Sequence, residues 1–292
     1  MKLAVFGKRF ETEYIDAITG LLDMLVIRGH DLLVGERFSR FLNEIGIALP
    51  AKAEIFHDHT EIEGADVMIS IGGDGTLLDT LGVIRDKDIP VLGINTGRLG
   101  FLSNIPTDEI GQAIDALENK EYKIDERSLI KVDCPDLTDI DFPYALNEVT
   151  IHKKEDASMV TVDAYKDDKF INTYWADGLI VATPTGSTAY SLSCGGPIVM
   201  PGSENFILTP IAPHNLNVRP LVVPNDCKIR LRAEGRAEEF LLTLDSHSYS
   251  LKAGAQVVLS TAAFRMKLID MEDQHFFQTI RNKLLWGIDR RN

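Results

Sequence analysis

Three short apolar runs, KLAVFG (residues 2–7), ADVMISI (65–71) and PVLGIN (90–95), are each followed by a stretch with apolar residues at helical spacing. Those stretches are residues 14–28, 76–85 and 107–119, the last with Thr107 placed to cap it. A strand that is apolar throughout needs cover on both faces, and helices between such strands supply it. The pattern therefore predicts an open α/β domain with a parallel sheet over residues 1–124.

Past that point the rhythm changes. SLIKVD, YALNEVTIH, MVTVDAY, KFINTYW, LIVAT, CKIRLRA, EFLLTLD, QVVLS and FRMKLI are short, rich in β-branched and aromatic residues, and bounded by turn formers. They predict a β-rich domain over residues 125–270, with YKDDKF as a hairpin turn. In the tail, residues 271–292, Phe276, Ile280 and Leu284 fall on one helical face with Phe277 and Leu285 beside them, which predicts a helix docked on the body.

Charge narrows the partners. Thirty basic residues against 44 acidic ones give a net charge of −14, which repels nucleic acid and anionic lipid, so neither is expected as a partner. The N-terminus lacks the apolar core of a signal peptide and no later run approaches a membrane span, so a soluble cytoplasmic protein is expected. Cys134, Cys194 and Cys227 are widely spaced and suggest neither a disulfide framework nor a zinc site. His57 and His59 sit in a polar stretch without further ligands and are expected to face solvent, so no residues are assigned to a metal.

Three passages carry chemistry. Both GGDGT and NTGRLGF follow apolar strands, where open parallel sheets hold their ligands. Gly72, Gly73 and Gly75 let backbone N–H groups approach a phosphate, and Thr76 opens a helix whose N-terminus favours negative charge. Asp74 would repel that phosphate. It is either part of a tight turn, solvated or capping the helix, or a catalytic or magnesium-orienting carboxylate. Neither the P-loop pattern nor the G-x-G-x-x-G fingerprint is present, which disfavours a P-loop enzyme and an ordinary dehydrogenase.

The second passage, DGLIVATPTGSTAYSLSCGGPIV from Asp177 to Val199, sets six Ser or Thr among four glycines and two prolines. Its hydroxyls could bond a base or ribose with Tyr190 as a stacking ring, or they could serve as turn stabilisers. In the third, LNEVTI, Asn147 and Glu148 are adjacent in a strand, so one points inward unless a bulge turns both to one side. An adenine edge suits the amide and a ribose diol the carboxylate; a polar surface strand is the alternative.

Taken together, GGDGT, LNEVTI and the Asp177–Val199 passage, with APHNLNVRP at 212–220, resemble the signatures of the NAD kinase family in order and separation, from Val5 to about Ile269. The aspartate loop alone is also similar to that of phosphofructokinases and diacylglycerol-type lipid kinases. The resemblance implies transfer of the γ-phosphoryl of ATP, or in some members of polyphosphate, to the 2′-hydroxyl of the adenosine ribose of NAD. It implies a divalent metal, Mg2+ or Mn2+, a β-sandwich-like second domain and a homodimer or homotetramer. By position it makes Asp74 catalytic, with Gly75 beside the ligand, and Phe101 a wall of the adenosine pocket. Asn147, Glu148, Asp177, Thr188, Ala189, Tyr190, Ser191, Leu192 and Ser193 would contact NAD, with Ala212 and His247 as further contacts. Trp175 stands where many bacterial members carry Arg, which leaves acceptance of NADH open. Arg98 is assigned to phosphate or to the surface, and His214 to a structural or subunit contact. A lipid kinase and a non-catalytic NAD(P) sensor are the rival readings.

Overall fold

The computed structural model describes residues 1–98, 100–154, 159–271 and 276–286 of the 292-residue chain. It divides into two compact units, residues 1–126 with 266–292, and residues 127–265.

The first unit is built on a sheet whose strands run in the order Glu54–Phe56, Asp31–Gly35, Lys2–Gly7, Val67–Gly72, Val91–Asn95, Met266–Asp270 and Lys123–Arg127, with Ile105–Pro106 also pairing to Val91–Asn95. Lys2–Gly7 pairs in parallel with both Asp31–Gly35 and Val67–Gly72, and Val67–Gly72 in parallel with Val91–Asn95. Leu3, Val5, Ile69, Ile71, Leu92 and Ile94 are buried with Leu21, Leu22 and Leu25 of helix Ile15–Ile27 and Ile114 and Leu117 of helix Ile110–Asn119. From Lys2–Gly7 the chain adds strands toward one edge, then returns to add Val67–Gly72 and Val91–Asn95 on the other side. The carboxyl ends of Lys2–Gly7 and Val67–Gly72 therefore flank the point where strand order reverses, the usual ligand crevice of such sheets.

Several expectations are corrected in this unit. FRMKLI is not a strand of the β-rich region: Met266–Asp270 joins the first sheet in parallel with Val91–Asn95. Its period showed a strand but could not show which sheet would claim it. Asp31–Gly35, Glu54–Phe56 and helix Glu36–Glu44 were not separated from the sequence, being short and interrupted by charge. Thr107 caps nothing; it opens a 3-10 turn, Thr107–Glu109, that leads into helix Ile110–Asn119. In the C-terminal helix, Phe276–Leu284, Ile280 is buried, whereas Phe277 and Leu285 are exposed.

The second unit is a sandwich of two six-stranded sheets. One runs Leu221–Pro224, Asn205–Ile211, Gly178–Ala182, Glu148–Lys153, Glu239–Leu244 and His247–Lys252. The other runs Lys169–Ala176, Val160–Lys166, Ile229–Gly235, Gln256–Thr261, Ile130–Asp133 and Tyr144–Ala145. Their pairings are antiparallel, and the inward residues of both sheets, among them Ile151, Val181, Phe240, Val162 and Leu231, form one core. Asp167 and Asp168 at the tip of YKDDKF both take positive φ, as a two-residue hairpin turn matched to strand twist requires. Among the described residues no helix is long and apolar enough to cross a membrane.

Candidate active site

Strand Val67–Gly72 ends on Gly72 at φ +153°, where an added Cβ would lie 2.2 Å from Thr76 Oγ1, so the turn into the next helix accepts only glycine. Gly73 then caps helix Asp74–Ile84, its carbonyl accepting from the N–H groups of Thr76 and Leu77. Asp74 is the first residue of that helix but does not cap it. Its carboxylate reaches the neighbouring loop and accepts N–H bonds from Phe101 at 2.8 Å and from Leu102 and Ser103 at 3.0 Å. Space for this contact depends on Gly100, where a Cβ would fall 1.9 Å from Asp74 Oδ1.

That loop is braced from within. Asn95 donates from Nδ2 to the carbonyls of Arg98 and Ser103 and accepts from the Gly97 N–H, while the Ser103 hydroxyl donates to the Gly72 carbonyl. The glycine loops at the ends of two adjacent strands are thus tied together through one carboxylate. A lysine completes the cluster: Lys283 of the C-terminal helix places Nζ 3.6 Å from Asp74 Oδ2 and 4.7 Å from the centre of the Phe101 ring. Lys8, just past strand Lys2–Gly7, pairs with Asp79 in the second turn of the Asp74 helix.

In the second unit Asn147 is buried and Glu148 opens strand Glu148–Lys153. The N–H groups of Leu146, Asn147 and Glu148 donate to Asp245 at 2.8, 2.8 and 3.1 Å. Asp245 occupies the tight turn joining Glu239–Leu244 to His247–Lys252, at φ +48°. Burial raises its carboxyl pKa above the ordinary value, with the three amide bonds working against that rise. Glu148 is pushed up to about 8, first by burial and then by the charge of Asp245, opposed by a bond from the Tyr190 backbone. Its Oε2 is buried and has no hydrogen-bond partner among the described residues, and the same holds for Thr150 Oγ1 two residues on, on the same face of the strand. A buried carboxyl oxygen left unpaired is costly, and a hydroxyl-bearing ligand would relieve it.

The hydroxyl-rich passage resolves into bracing and surface. Thr183 donates to the Leu146 carbonyl, Ser187 to the Pro184 carbonyl, Thr188 to the Thr185 carbonyl, and Ser191 bonds Thr209. Gly186 packs against Asn147 so closely that a Cβ would fall 2.1 Å from the Asn147 carbonyl oxygen. Ser191 is fully buried, whereas Tyr190 and Ser193 are exposed and Thr188, Ala189 and Leu192 are half-buried. Tyr190 is 41 % exposed.

Asn147, Glu148, Asp245 and His247 gather at one end of their sheet, with the Tyr190 backbone bonded to Glu148. Asp177, ion-paired to Lys153 at 2.9 Å, and Ala212, at φ +44°, sit at the opposite end of strand Gly178–Ala182. The five residues of that strand, roughly 17 Å of rise, keep these groups apart. Trp175, 57 % exposed, lies on strand Lys169–Ala176 of the other sheet, and its carbonyl accepts from the His214 N–H. Arg98 is exposed, and the three cysteines are free. Sequence reasoning missed Asp245, Gly100, Asn95 and Lys283. Asp245, Gly100 and Lys283 act on partners distant in sequence, while Asn95 braces its own loop; Asn95 and Gly100 lie in the NTGRLGF stretch already singled out.

Comparison with known proteins places the fold and the two loops in one family. Residues 51–122 match the ATP-NAD kinase N-terminal domain and residues 146–271 the ATP-NAD kinase C-terminal domain. The chain belongs to the NAD kinase family. It is 44 % identical over 292 residues to an NAD kinase of Cytophaga hutchinsonii, with all of both chains covered, and 40 % identical over 291 residues to one of Bacteroides fragilis, again covering both. A yeast NADH kinase complexed with NADH superposes with a TM-score of 0.89 at 21 % identity, over 99 % of this chain and 88 % of that one, a likeness of fold. An Archaeoglobus fulgidus NAD kinase in complex with ATP gives 0.71 at 28 % identity, over 98 % of this chain and 99 % of that one. As an NAD kinase the chain is a phosphotransferase with an alcohol acceptor, which sets aside the lipid-kinase and sensor alternatives. Asp74 and its loop lie in the first matched stretch and Asn147, Glu148 and Asp245 in the second, while Lys283 lies beyond both.

Proposed function

We infer that this protein transfers the γ-phosphoryl of ATP to the 2′-hydroxyl of the adenosine ribose of NAD, with Asp74 as the group that receives the hydroxyl proton. The observation that carries the reading is the fixed orientation of Asp74, held by three N–H donors beside a phosphate-type loop. In phosphoryl transfer the transition state is loose, so alignment and charge neutralisation matter more than basicity. The ribose oxygen bonds to the γ-phosphorus as the bond to the β-phosphate bridging oxygen breaks. ADP leaves, and the proton passes late to Asp74. Backbone N–H groups of the Gly72–Gly75 turn and the N-terminus of helix Asp74–Ile84 receive the phosphates.

The β-rich unit is assigned the nucleoside. Glu148 would turn its unpaired oxygen to a ribose hydroxyl, Asn147 would read the adenine edge and Tyr190 would stack. Among the described residues there is no cluster of three or more metal-ligating side chains. A divalent cation carried by the triphosphate would supply charge neutralisation there. A homo-oligomer is proposed through the edge strand Leu221–Pro224, whose Leu221 and Val222 are exposed apolar residues; light scattering of the purified protein tests it.

Incubation with ATP, Mg2+ and NAD is expected to yield NADP and ADP, with NADH run alongside to settle what Trp175 permits. Asp74→Asn is expected to lower turnover about a thousandfold while NAD affinity stays within about tenfold. Retained turnover in that variant would refute the assignment.

A further inference from the structure

The contact between Lys283 and Asp74 has no place in the family signatures, and it brings the end of the chain to the reacting group. The geometry points to Lys283 as a ligand for the donor's terminal phosphate, parked on Asp74 and Phe101 until the triphosphate arrives. This rests on the reading of Asp74 given above. Ile280 is the buried anchor of the C-terminal helix, and Lys283, three residues on, shares its face, so docking of the helix brings the lysine's ammonium to Asp74 and Phe101 although the residue stays exposed.

Counting donors shows what the lysine has left. An ammonium carries three N–H groups and a carboxylate accepts about four bonds. Asp74 already takes three from backbone, and Lys283 stands 3.6 Å away, beyond the 2.7–2.9 Å of a charge-assisted hydrogen bond. The Phe101 ring contributes only its face, 4.7 Å from Nζ. Among the described residues the ammonium is thus held near the loop without being saturated, and its side chain keeps 27 % of its area exposed, Asp74 31 %. Lys8, by contrast, is closed into a pair with Asp79 at 2.5 Å.

A triphosphate entering this loop meets the charge of Asp74, and a cation within reach of both offsets that repulsion as negative charge shifts toward the leaving group. A partly exposed ion pair of this length adds little to folding. Ligand binding, rather than stability, is where the lysine matters.

The test uses the full-length chain with Lys283→Met, Lys283→Arg and, as a control on the same helix, Arg281→Gln. Steady-state kinetics with ATP and NAD varied separately are paired with calorimetric titration of a non-hydrolysable ATP analogue with Mg2+. Loss of one charge-assisted contact predicts a KM for ATP and a Kd for the analogue raised about tenfold or more in Lys283→Met. KM for NAD is expected to stay within about twofold, and the melting temperature to remain unchanged. Lys283→Arg restores most of the donor affinity and Arg281→Gln leaves both constants alone. Wild-type donor constants in Lys283→Met, an equal rise for both substrates, or a faster enzyme would each overturn the inference. If the wild-type protein formed no NADP, the function reading would fall, and the titration alone would still decide whether Lys283 binds the donor.

Discussion

Asp74 and Glu148 are two carboxyl groups assigned to one reaction, and their surroundings are built on opposite plans. Asp74 stands at the carboxyl edge of a parallel sheet, where loops present N–H groups that no strand ladder has used; it receives three of them and a lysine nearby. Glu148 stands in an antiparallel sandwich whose ladders consume most backbone donors, and the three N–H groups at the start of its strand go to Asp245 instead. Glu148 is left with a buried oxygen lacking a partner and a pKa of about 8. The first region satisfies a charged carboxylate with backbone donors. The second disfavours charge on its own carboxyl group.

Breaking the second plan at its centre has the largest expected effect. Asp245→Ala strands three N–H groups at the strand entry, and stability measured by urea unfolding should fall by about 3 kcal/mol or more, with KM for NAD rising and the donor constants little changed. A small loss would mean that water replaces the carboxylate and that Asp245 does not set the strand.

Disturbing the first plan is expected to cost less in stability and more in rate. Gly100→Ala puts a methyl group into Asp74 Oδ1, so the loop or the carboxylate must shift. A misplacement of about 1 Å predicts a drop in kcat of about a hundredfold, with the melting temperature lowered by only a few degrees. An unaffected kcat would show that the Asp74 orientation is not what turnover requires.

Glu148→Gln sharpens the contrast most gently. The folded protein holds the Glu148 proton up to about pH 8, while an ordinary glutamate releases it near 4.5, so the folded state binds more protons across that window. Stability therefore falls as pH rises from about 4.5 to about 8. The variant should flatten this slope and be more stable than the wild type at pH 8, by about 2 kcal/mol. Identical melting curves for both proteins from pH 5 to pH 8 would remove the burial argument. Asp245 titrates upward as well, so a residual slope in the variant belongs to it.

Much of the fold was legible because its signals are local. Apolar runs with helical stretches between them announced the parallel sheet, and Gly72 was needed for a turn that its own neighbour Thr76 crowds. One misplacement and one open choice share a cause. FRMKLI is a strand by period, yet its neighbour is Val91–Asn95; the Ser and Thr residues near 185 left ligand contact and bracing equally open, and in the fold Ser187 and Thr188 bond their own loop while Thr183 and Ser191 reach Leu146 and Thr209. A pattern reports which faces are apolar or polar but not who lies opposite them.

Sequence alone determined the two architectures, the position of both glycine loops and the family signatures, because backbone sterics and side-chain periodicity act over a few residues. Tertiary structure alone decided that Asp74 is gripped by Phe101, Leu102 and Ser103, that Asp245 takes the N–H groups beside Glu148, and that Lys283 arrives from the far end of the chain. Hydrogen bonds and charges act over a few ångströms of space, and only the folded chain sets which residues share those ångströms.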